Sequence, residues 1–164
     1  MKNFQGLTFL EIIIVMVILA IMASIALPTY QKWVKKNHIL NNTKLLFSVI
    51  NQAKLKAFTE KRTCGLYWPS SSGKTVFLRC DTDYDNSITD SGGYQDYLSI
   101  SLDETFDFNA GISQTFRFSK EGIARDLGNI RAHDLSVTPR YNCIVISKTR
   151  IKMGVWESGA CHVK

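Results

Sequence analysis

The sequence lacks the motifs that mark the common classes of enzyme. It has no G-x-S-x-G for a serine nucleophile, no H-E-x-x-H for a zinc protease, no P-loop and no dinucleotide-binding glycine pattern. Its three histidines, His38, His133 and His162, are scattered, and none is spaced from a cysteine or serine as a catalytic pair would be. The sequence therefore predicts that the protein is not an enzyme and has no cofactor, apart from the calcium considered below.

Charge is absent from a long stretch near the N-terminus. No charged residue occurs between Ile12 and Leu27, and the apolar run already begins at Leu7, with Glu11 as its one acidic residue. A helix needs about 20 apolar residues to cross a bilayer core, so this run can span a membrane. Because an unpaired carboxylate in hydrocarbon is costly, Glu11 needs a partner there.

The start of the chain also lacks the features of an ordinary secretory signal. Such a signal has a basic start, an apolar stretch of about 7–15 residues and a small-residue cleavage site after that stretch. Here Lys2 is the one basic residue ahead of the apolar run, and the polar start ends at Gly6. We therefore expect cleavage before the apolar helix, which leaves that helix in the mature chain.

This arrangement of Gly6, Leu7, Glu11 and Pro28 resembles the class III leader and N-terminal helix of type IV pilins and type II secretion pseudopilins. The resemblance implies that a prepilin peptidase cuts after Gly6 and methylates the new amine of Leu7. It also implies that Glu11 meets the N-terminal amine of a neighbouring subunit in a filament. Such a pair removes most of the cost that a buried carboxylate or ammonium would bear alone. The alternative is a plain single-span anchor.

The patterning divides the chain into four segments. Residues 1–6 are the leader that is removed, 7–29 a transmembrane and filament-core helix, 30–62 an amphipathic helix that continues into the head, and 63–164 a β-rich globular head. Pro28 should kink the helix, because an internal proline removes a backbone hydrogen bond and clashes with the preceding turn. The amphipathic part is indicated by residues that recur at three- and four-residue steps, with Leu46 widening the stripe: Leu40, Thr43, Phe47, Ile50, Ala53, Lys54 and Ala57.

Short segments of strand composition follow the helix. They read CGLYW, TVFLRC, YLSISL, TFRFS, LSVT, YNCIVIS and RIKMGVW. The predicted fold class is α+β, a pilin-like lollipop in which a long kinked N-terminal helix packs on an antiparallel β-sheet head.

The order of motifs in the head resembles that of the GspH/FimT-type minor pilins and pseudopilins. The similarity lies in TVFLRCDTDYDNSITD, FRFSKEGIA and IVISKTRIKMG. It implies a minor pilin or pseudopilin of a type IV pilus or type II secretion filament, at the tip or in the initiation complex. The partners would be a prepilin peptidase, an inner-membrane assembly platform, other minor pilins and the major pilin. A DNA-binding pilin of a DNA-uptake pilus and a major pilin subunit remain alternatives.

The same resemblance implies where the protein resides. It would sit in a bacterial inner membrane as a single-pass protein with a periplasmic head, and enter an extracellular or periplasmic filament after assembly.

Four cysteines lie in the head, and four cysteines allow three pairings. Cys64 and Cys80 lie at the ends of successive predicted strands, and Cys143 and Cys161 bracket the final predicted hairpin, so local pairing is favoured. Each bond would contribute about 3 kcal/mol and would place the head in an oxidising compartment. Free core cysteines and a zinc site are the alternatives, although the sequence has no C-x-x-C pair.

The loop DTDYDNSITD has carboxylates at positions one, three and five of an EF-hand-type calcium loop, at Asp81, Asp83 and Asp85. The match fails further on. Asn86 stands where glycine makes the sharp turn, and Gly92 stands where a bidentate carboxylate is needed, so Asp90 would have to substitute. A calcium site and a solvated acidic loop are the two interpretations.

A basic row near the C-terminus consists of Lys148, Arg150 and Lys152, which alternate and would share one side of a strand. Such a row can contact phosphates, with Tyr141 or Trp156 stacking on bases. Two further cations were expected nearby, Arg131 and Arg140.

The segment around this row resembles the G-R-x-R motif of DNA-uptake pilins of the GspH/FimT type. Arg150 and Lys152 take the basic positions, and Thr149 replaces the glycine. The alternative is a solvated, charged sheet edge that discourages aggregation.

Overall fold

The computed structural model describes residues 8–69, 73–89, 93–108 and 114–163, which form one α-helix and nine β-strands. The helix is α1 (Phe9–Glu60). The strands are β1 (Cys64–Tyr67), β2 (Thr75–Asp81), β3 (Tyr94–Ser101), β4 (Phe106–Phe108), β5 (Thr115–Phe118), β6 (Gly128–Ala132), β7 (Cys143–Ile146), β8 (Ile151–Glu157) and β9 (Ala160–Val163). The chain divides into two compact units, the first ending at Lys35 and the second beginning at Lys36.

The first unit consists of the apolar part of α1. An eighteen-residue window of this helix has a mean hydropathy of 2.9, and none of the window is buried. By length and composition α1 is therefore able to cross a membrane. Pro28 lies inside the helix, where the sequence expects a kink. Gly6 and Leu7 lie outside the described residues.

The second unit is held by a core between the rest of α1 and two antiparallel sheets. The sheets have the strand orders β3-β2-β1-β5 and β4-β6-β7-β8-β9. Helix residues Ile39, Leu46 and Ile50 have no exposed surface, and Leu66 of β1 and Ile130 of β6 are equally buried. The α+β fold class is thus confirmed, with the helix packed on antiparallel strands.

The buried stripe of the helix differs in part from the predicted one. Thr43, Leu46, Ile50, Ala53 and Ala57 are buried as expected. Ile39, Asn42 and Val49 are buried in addition. Leu40, Phe47 and Lys54 are only partly buried. A period of 3.6 residues gives the repeat, but contacts made with the sheets decide which residues lie at the centre of the stripe.

The strand prediction was wrong at LSVT, which is a loop. The carboxylate of Asp134 accepts a hydrogen bond from the Ser136 backbone N–H at 2.7 Å. Pro139 directly follows the LSVT segment. An aspartate side chain that accepts a hydrogen bond from the backbone N–H two residues later favours a turn over a strand. The prediction also missed β4, β6 and β9, and it expected one sheet region where the second unit has two.

The structure contains the disulfides Cys64–Cys80 and Cys143–Cys161, the local pairing that the sequence favours. Cys64 and Cys80 face each other on β1 and β2. The second bond joins β7 to β9 and so passes over β8, which lies between them. A Cβ atom on Gly154 of β8 would lie 3.0 Å from the Cys161 sulfur and 2.4 Å from the His162 carbonyl oxygen. The glycine leaves the space that this bond occupies.

The end of α1 is tied to β3 by the carboxylate of Glu60. Its Oε2 atom accepts hydrogen bonds from Arg62 Nε at 2.7 Å and from the Tyr97 hydroxyl at 3.0 Å. Its Oε1 atom forms an ion pair with Lys56, whose ammonium lies 3.4 Å from the centre of the Tyr97 ring. Partial burial alone would raise the pKa of Glu60, but the bonds from Lys56, Arg62 and Tyr97 outweigh it and lower the pKa to about 2.

We expect Glu60→Gln to lower the free energy of unfolding of the second unit by about 1–3 kcal/mol at neutral pH, because the folded state favours the ionised carboxyl. This stabilisation is complete above the unfolded pKa near 4.5 and is lost as the pH falls towards 2. Urea unfolding from pH 7 to pH 2.5 measures the difference between the two proteins. A difference that stays constant with pH would contradict the role of the Glu60 charge.

Candidate functional site

Glu11 lies in the first turn of α1, on a surface that is otherwise apolar and exposed. Its backbone N–H donates to the carbonyl oxygen of Thr8 at 3.1 Å and to the Thr8 hydroxyl at 3.3 Å. Thr8 therefore caps the helix, and T-F-L-E is the S/T-x-x-E pattern of a capping box. Thr8 was not among the predicted site residues, although the S/T-x-x-E pattern is visible in the sequence.

The helix terminus stabilises the Glu11 carboxylate only slightly. A carboxylate in the first turn gains about 0.3–1 kcal/mol from the helix dipole when it is exposed. An unpaired ion removed from water costs several kcal/mol. In lipid or in a packed filament core, Glu11 therefore still needs a cation from outside the described residues.

The acidic loop after β2 brings Asp81, Asp83 and Asp85 together, as predicted. One carboxylate oxygen of each lies within 4.8 Å of the others. Asp81 is buried, and its two oxygens accept the backbone N–H groups of residues 83, 84 and 86 at 3.0, 2.7 and 2.7 Å. Asp90 lies outside the described residues.

Asn86 ties this loop to the residue before β1, to β5 and to the turn after β5. Its φ of 71° is left-handed, the conformation for which a calcium loop uses glycine and which asparagine tolerates better than most residues. Its Oδ1 atom accepts from the Thr63 hydroxyl at 2.9 Å and from Arg125 at 2.8 Å. Its carbonyl oxygen accepts from Arg117 at 3.2 Å.

The loop is also anchored by an apolar contact. Ile88 is fully buried, and a Cβ atom on Gly65 of β1 would lie 3.0 Å from its Cδ1 atom. The protein's own hydrogen bonds and this contact therefore shape the loop. Calcium ligation by Asp81, Asp83 and Asp85 stays a prediction, since calcium needs six to eight oxygen ligands and both Asp81 oxygens already accept N–H groups.

The basic row does not lie in one strand as expected. Lys148 is in the turn between β7 and β8, Arg150 directly precedes β8, and Lys152 lies within it. The turn is closed by a hydrogen bond from the Ser147 N–H to the Arg150 carbonyl oxygen at 2.9 Å. All three basic side chains are exposed, and among the described residues none of them forms an ion pair.

Arg131 is not available to extend this row. Its guanidinium is 3.5 Å from the Asp107 carboxylate and 4.8 Å from the centre of the Trp156 ring. Asp107 also contacts His133 Nδ1 at 2.9 Å. Arg140 lies 5.6 Å from the centre of the Tyr141 ring. Of these cations, Lys148, Arg150 and Lys152 therefore make up the row, in and beside the turn of the β7–β8 hairpin.

Comparison with known proteins finds one match for the start of the sequence and one for the fold. Residues 1–27, which include Gly6, Leu7 and Glu11, match the prokaryotic N-terminal methylation motif. The fold is similar to the crystal structure of the type IV minor pilin FimU from Pseudomonas aeruginosa, with a TM-score of 0.56 over 78% of this chain and 99% of that one. The chain has the type IV pilin fold.

The pilin resemblance drawn from the sequence is therefore confirmed by the motif and the fold together. Only 14% of the residues are identical to those of FimU, so that similarity concerns the fold alone. No curated protein sequence matches the chain. The pilin motif and the apolar helix indicate membrane anchoring, prepilin peptidase processing and assembly with other pilins. The pilin fold is a structural one rather than an enzyme fold.

Replacement of Asp81 tests how the acidic loop of this pilin fold is held. Asp81→Asn should lower the free energy of unfolding of the second unit by about 1–3 kcal/mol, because an amide nitrogen cannot accept the N–H groups that one carboxylate oxygen accepts. Asp83→Asn is the control, since Asp83 is exposed and accepts one N–H at 3.5 Å, and we expect a change within about 0.5 kcal/mol.

The same urea unfolding, carried out once in excess calcium chloride and once in a chelator, tests whether calcium stabilises the second unit. A calcium-dependent rise in stability that Asp85→Asn removes would support the calcium site. Equal loss of stability in Asp81→Asn and Asp83→Asn would contradict the role of the buried carboxylate.

Proposed function

We propose that this chain is a minor pilin subunit of a type IV pilus or a type II secretion filament and acts in the tip or initiation complex. The observation that supports the proposal most is the N-terminal methylation motif, joined to a fold like that of a minor pilin. The mechanism is assembly, in which Gly6 is the processing site and the α1 segment up to Leu27 packs among neighbouring helices.

The exposed surface of the first unit supports this role. Its large apolar side chains, from Phe9 to Leu27, are between 45% and 80% exposed. A contiguous apolar surface of this size needs lipid or protein around it. A bilayer covers it before assembly, and neighbouring pilin helices cover it in the filament.

Glu11 sets the register of the subunit in this proposal. Cleavage after Gly6 creates an ammonium group on Leu7 of each mature chain. Glu11 pairs with that ammonium on a neighbouring subunit, which compensates a charge that the helix terminus stabilises by no more than about 1 kcal/mol. Helices that slide along each other would separate the pair and leave two uncompensated ions in an apolar core.

We expect Glu11→Ala to reduce incorporation into sheared filaments at least about tenfold, because one uncompensated ion costs more than 1.4 kcal/mol. Quantitative immunoblotting measures the amount of the protein in sheared filaments relative to the amount in membranes. Ser24→Ala is the control in the same helix, since the Ser24 hydroxyl donates to the Ile21 carbonyl oxygen at 2.7 Å and needs no partner. Mass spectrometry must show that all proteins are cleaved after Gly6. Wild-type incorporation of Glu11→Ala would disprove the register role.

The β7–β8 hairpin supports a second candidate, a DNA-binding pilin of a DNA-uptake pilus. Lys148, Arg150 and Lys152 are exposed within five residues of each other and are not neutralised by the described acidic residues. Such a group of cations binds phosphates with little sequence preference.

The DNA-uptake candidate predicts binding to duplex DNA that weakens steeply with salt. Each phosphate contact contributes about −0.9 to the slope of log K against log salt, so Arg150→Ala/Lys152→Ala should reduce the slope by about two. Fluorescence anisotropy over a salt series measures it, with Lys44→Ala/Lys74→Ala as the control of equal charge. The candidate fails if DNA does not bind at low salt, or if both double variants weaken binding equally.

A further inference from the structure

A cavity of about 240 Å³ lies in the second unit, apart from the β7–β8 hairpin. Three segments surround it: the turn directly after α1 with Lys61, the acidic loop with Asn86, and the turn after β5 with Lys120 and Arg125. We call it the basic pocket. The first unit contributes no residue to it, and the pilin assembly proposed above does not use it.

The cations of the basic pocket are unevenly compensated. Arg62, which also lines it, is paired with Glu60. Among the described residues Lys61 and Lys120 form no ion pair, and the Lys61 ammonium lies 4.0 Å from the centre of the Phe58 ring. The Arg125 guanidinium donates one hydrogen bond, to the Asn86 amide oxygen and not to a carboxylate. Like charges gathered in one cavity repel each other, so an anion placed among them is favoured.

The hydrogen-bond acceptors in the wall of the pocket are already occupied. Asp81 is the one carboxylate among the residues that line it, and its oxygens accept three backbone N–H groups. The Asn86 amide oxygen accepts from both Thr63 and Arg125. The Asn86 Nδ2 group, by contrast, has no acceptor among the described residues.

The groups that remain for a ligand are therefore donors. They are the two lysine ammonium groups, the other nitrogens of Arg125, and the Asn86 amide N–H, with the exposed Tyr84 hydroxyl at the rim. Ammonium, guanidinium and amide donors around one point match the several acceptor oxygens of a tetrahedral anion. A cation or a neutral apolar molecule would leave these charges uncompensated.

We propose that the basic pocket binds a tetrahedral oxyanion, a phosphate or a sulfate, either as the free ion or as the end group of a larger molecule. The volume agrees with a small group, because sites for drug-sized ligands measure about 300–1,000 Å³. Lys61 and Lys120 supply the charge, and Arg125 and Asn86 supply directed hydrogen bonds.

Isothermal titration calorimetry of the full chain in detergent micelles with inorganic phosphate tests the proposal, with sodium chloride keeping the ionic strength constant. We expect one saturable site. Lys61→Gln/Lys120→Gln should weaken binding at least about tenfold, because two charge-assisted hydrogen bonds are lost and 1.4 kcal/mol corresponds to a factor of ten. Both side chains are exposed, so this variant should keep the melting temperature of the wild type.

Lys44→Gln/Lys74→Gln is the matched control, because it removes two exposed lysines that do not line the pocket. It should leave the affinity for phosphate unchanged. The proposal is overturned if phosphate does not bind, if the pocket variant binds it as the wild type does, or if the control variant loses binding equally.

Competition by methyl phosphate and by sulfate separates the sources of the anion. Competition by methyl phosphate with similar affinity supports the end group of a larger molecule. Competition by sulfate but not by methyl phosphate supports a free ion enclosed by the pocket. The filament assay with Glu11→Ala is independent of these results, so the two proposals succeed or fail separately.

Discussion

Burial of one stripe of α1 is the constraint on which the second unit depends. Ile39, Leu46 and Ile50 have no exposed surface, and both sheets supply the residues that cover them. Ala53 and Ala57, equally buried, keep the side chains small near the end of the helix. Packing of an amphipathic face contributes most of the stability of a helix in a protein, so this contact keeps the second half of α1 helical.

Among the described residues, the apolar surface of the first unit has no such partner. Its helical residues bond each other along the backbone, which is what a helix in lipid requires, but its side chains contact no core. The two halves of α1 therefore have different surroundings. The second half packs on the sheets of its own chain, and the first half needs lipid or other molecules around it. In the proposed function, assembly moves the first half of α1 from lipid into a core of pilin helices. Both environments are apolar, but in the filament Glu11 pairs with the N-terminal ammonium of a neighbouring subunit.

Features that depend on residues close together in the sequence could be predicted, whereas features that depend on contacts between distant residues could not. Gly6, Glu11 and the uncharged run lie close together in the sequence, and so do the two cysteines of each disulfide. LSVT has strand composition, yet the turn at Asp134 overrides it. The loop held by Asn86 depends on Thr63, Arg117 and Arg125, which are distant in sequence, and no local pattern predicts those bonds.

The disulfide over Gly154 has a mechanical consequence. Under tension applied to the C-terminal edge, strands normally separate one hydrogen-bonded pair at a time. Here the covalent bond from Cys143 to Cys161 joins β7 and β9 around the strand between them, so β8 and β9 cannot be peeled from the sheet in sequence. A force on this edge is carried by the sulfur bridge to the middle of the five-stranded sheet.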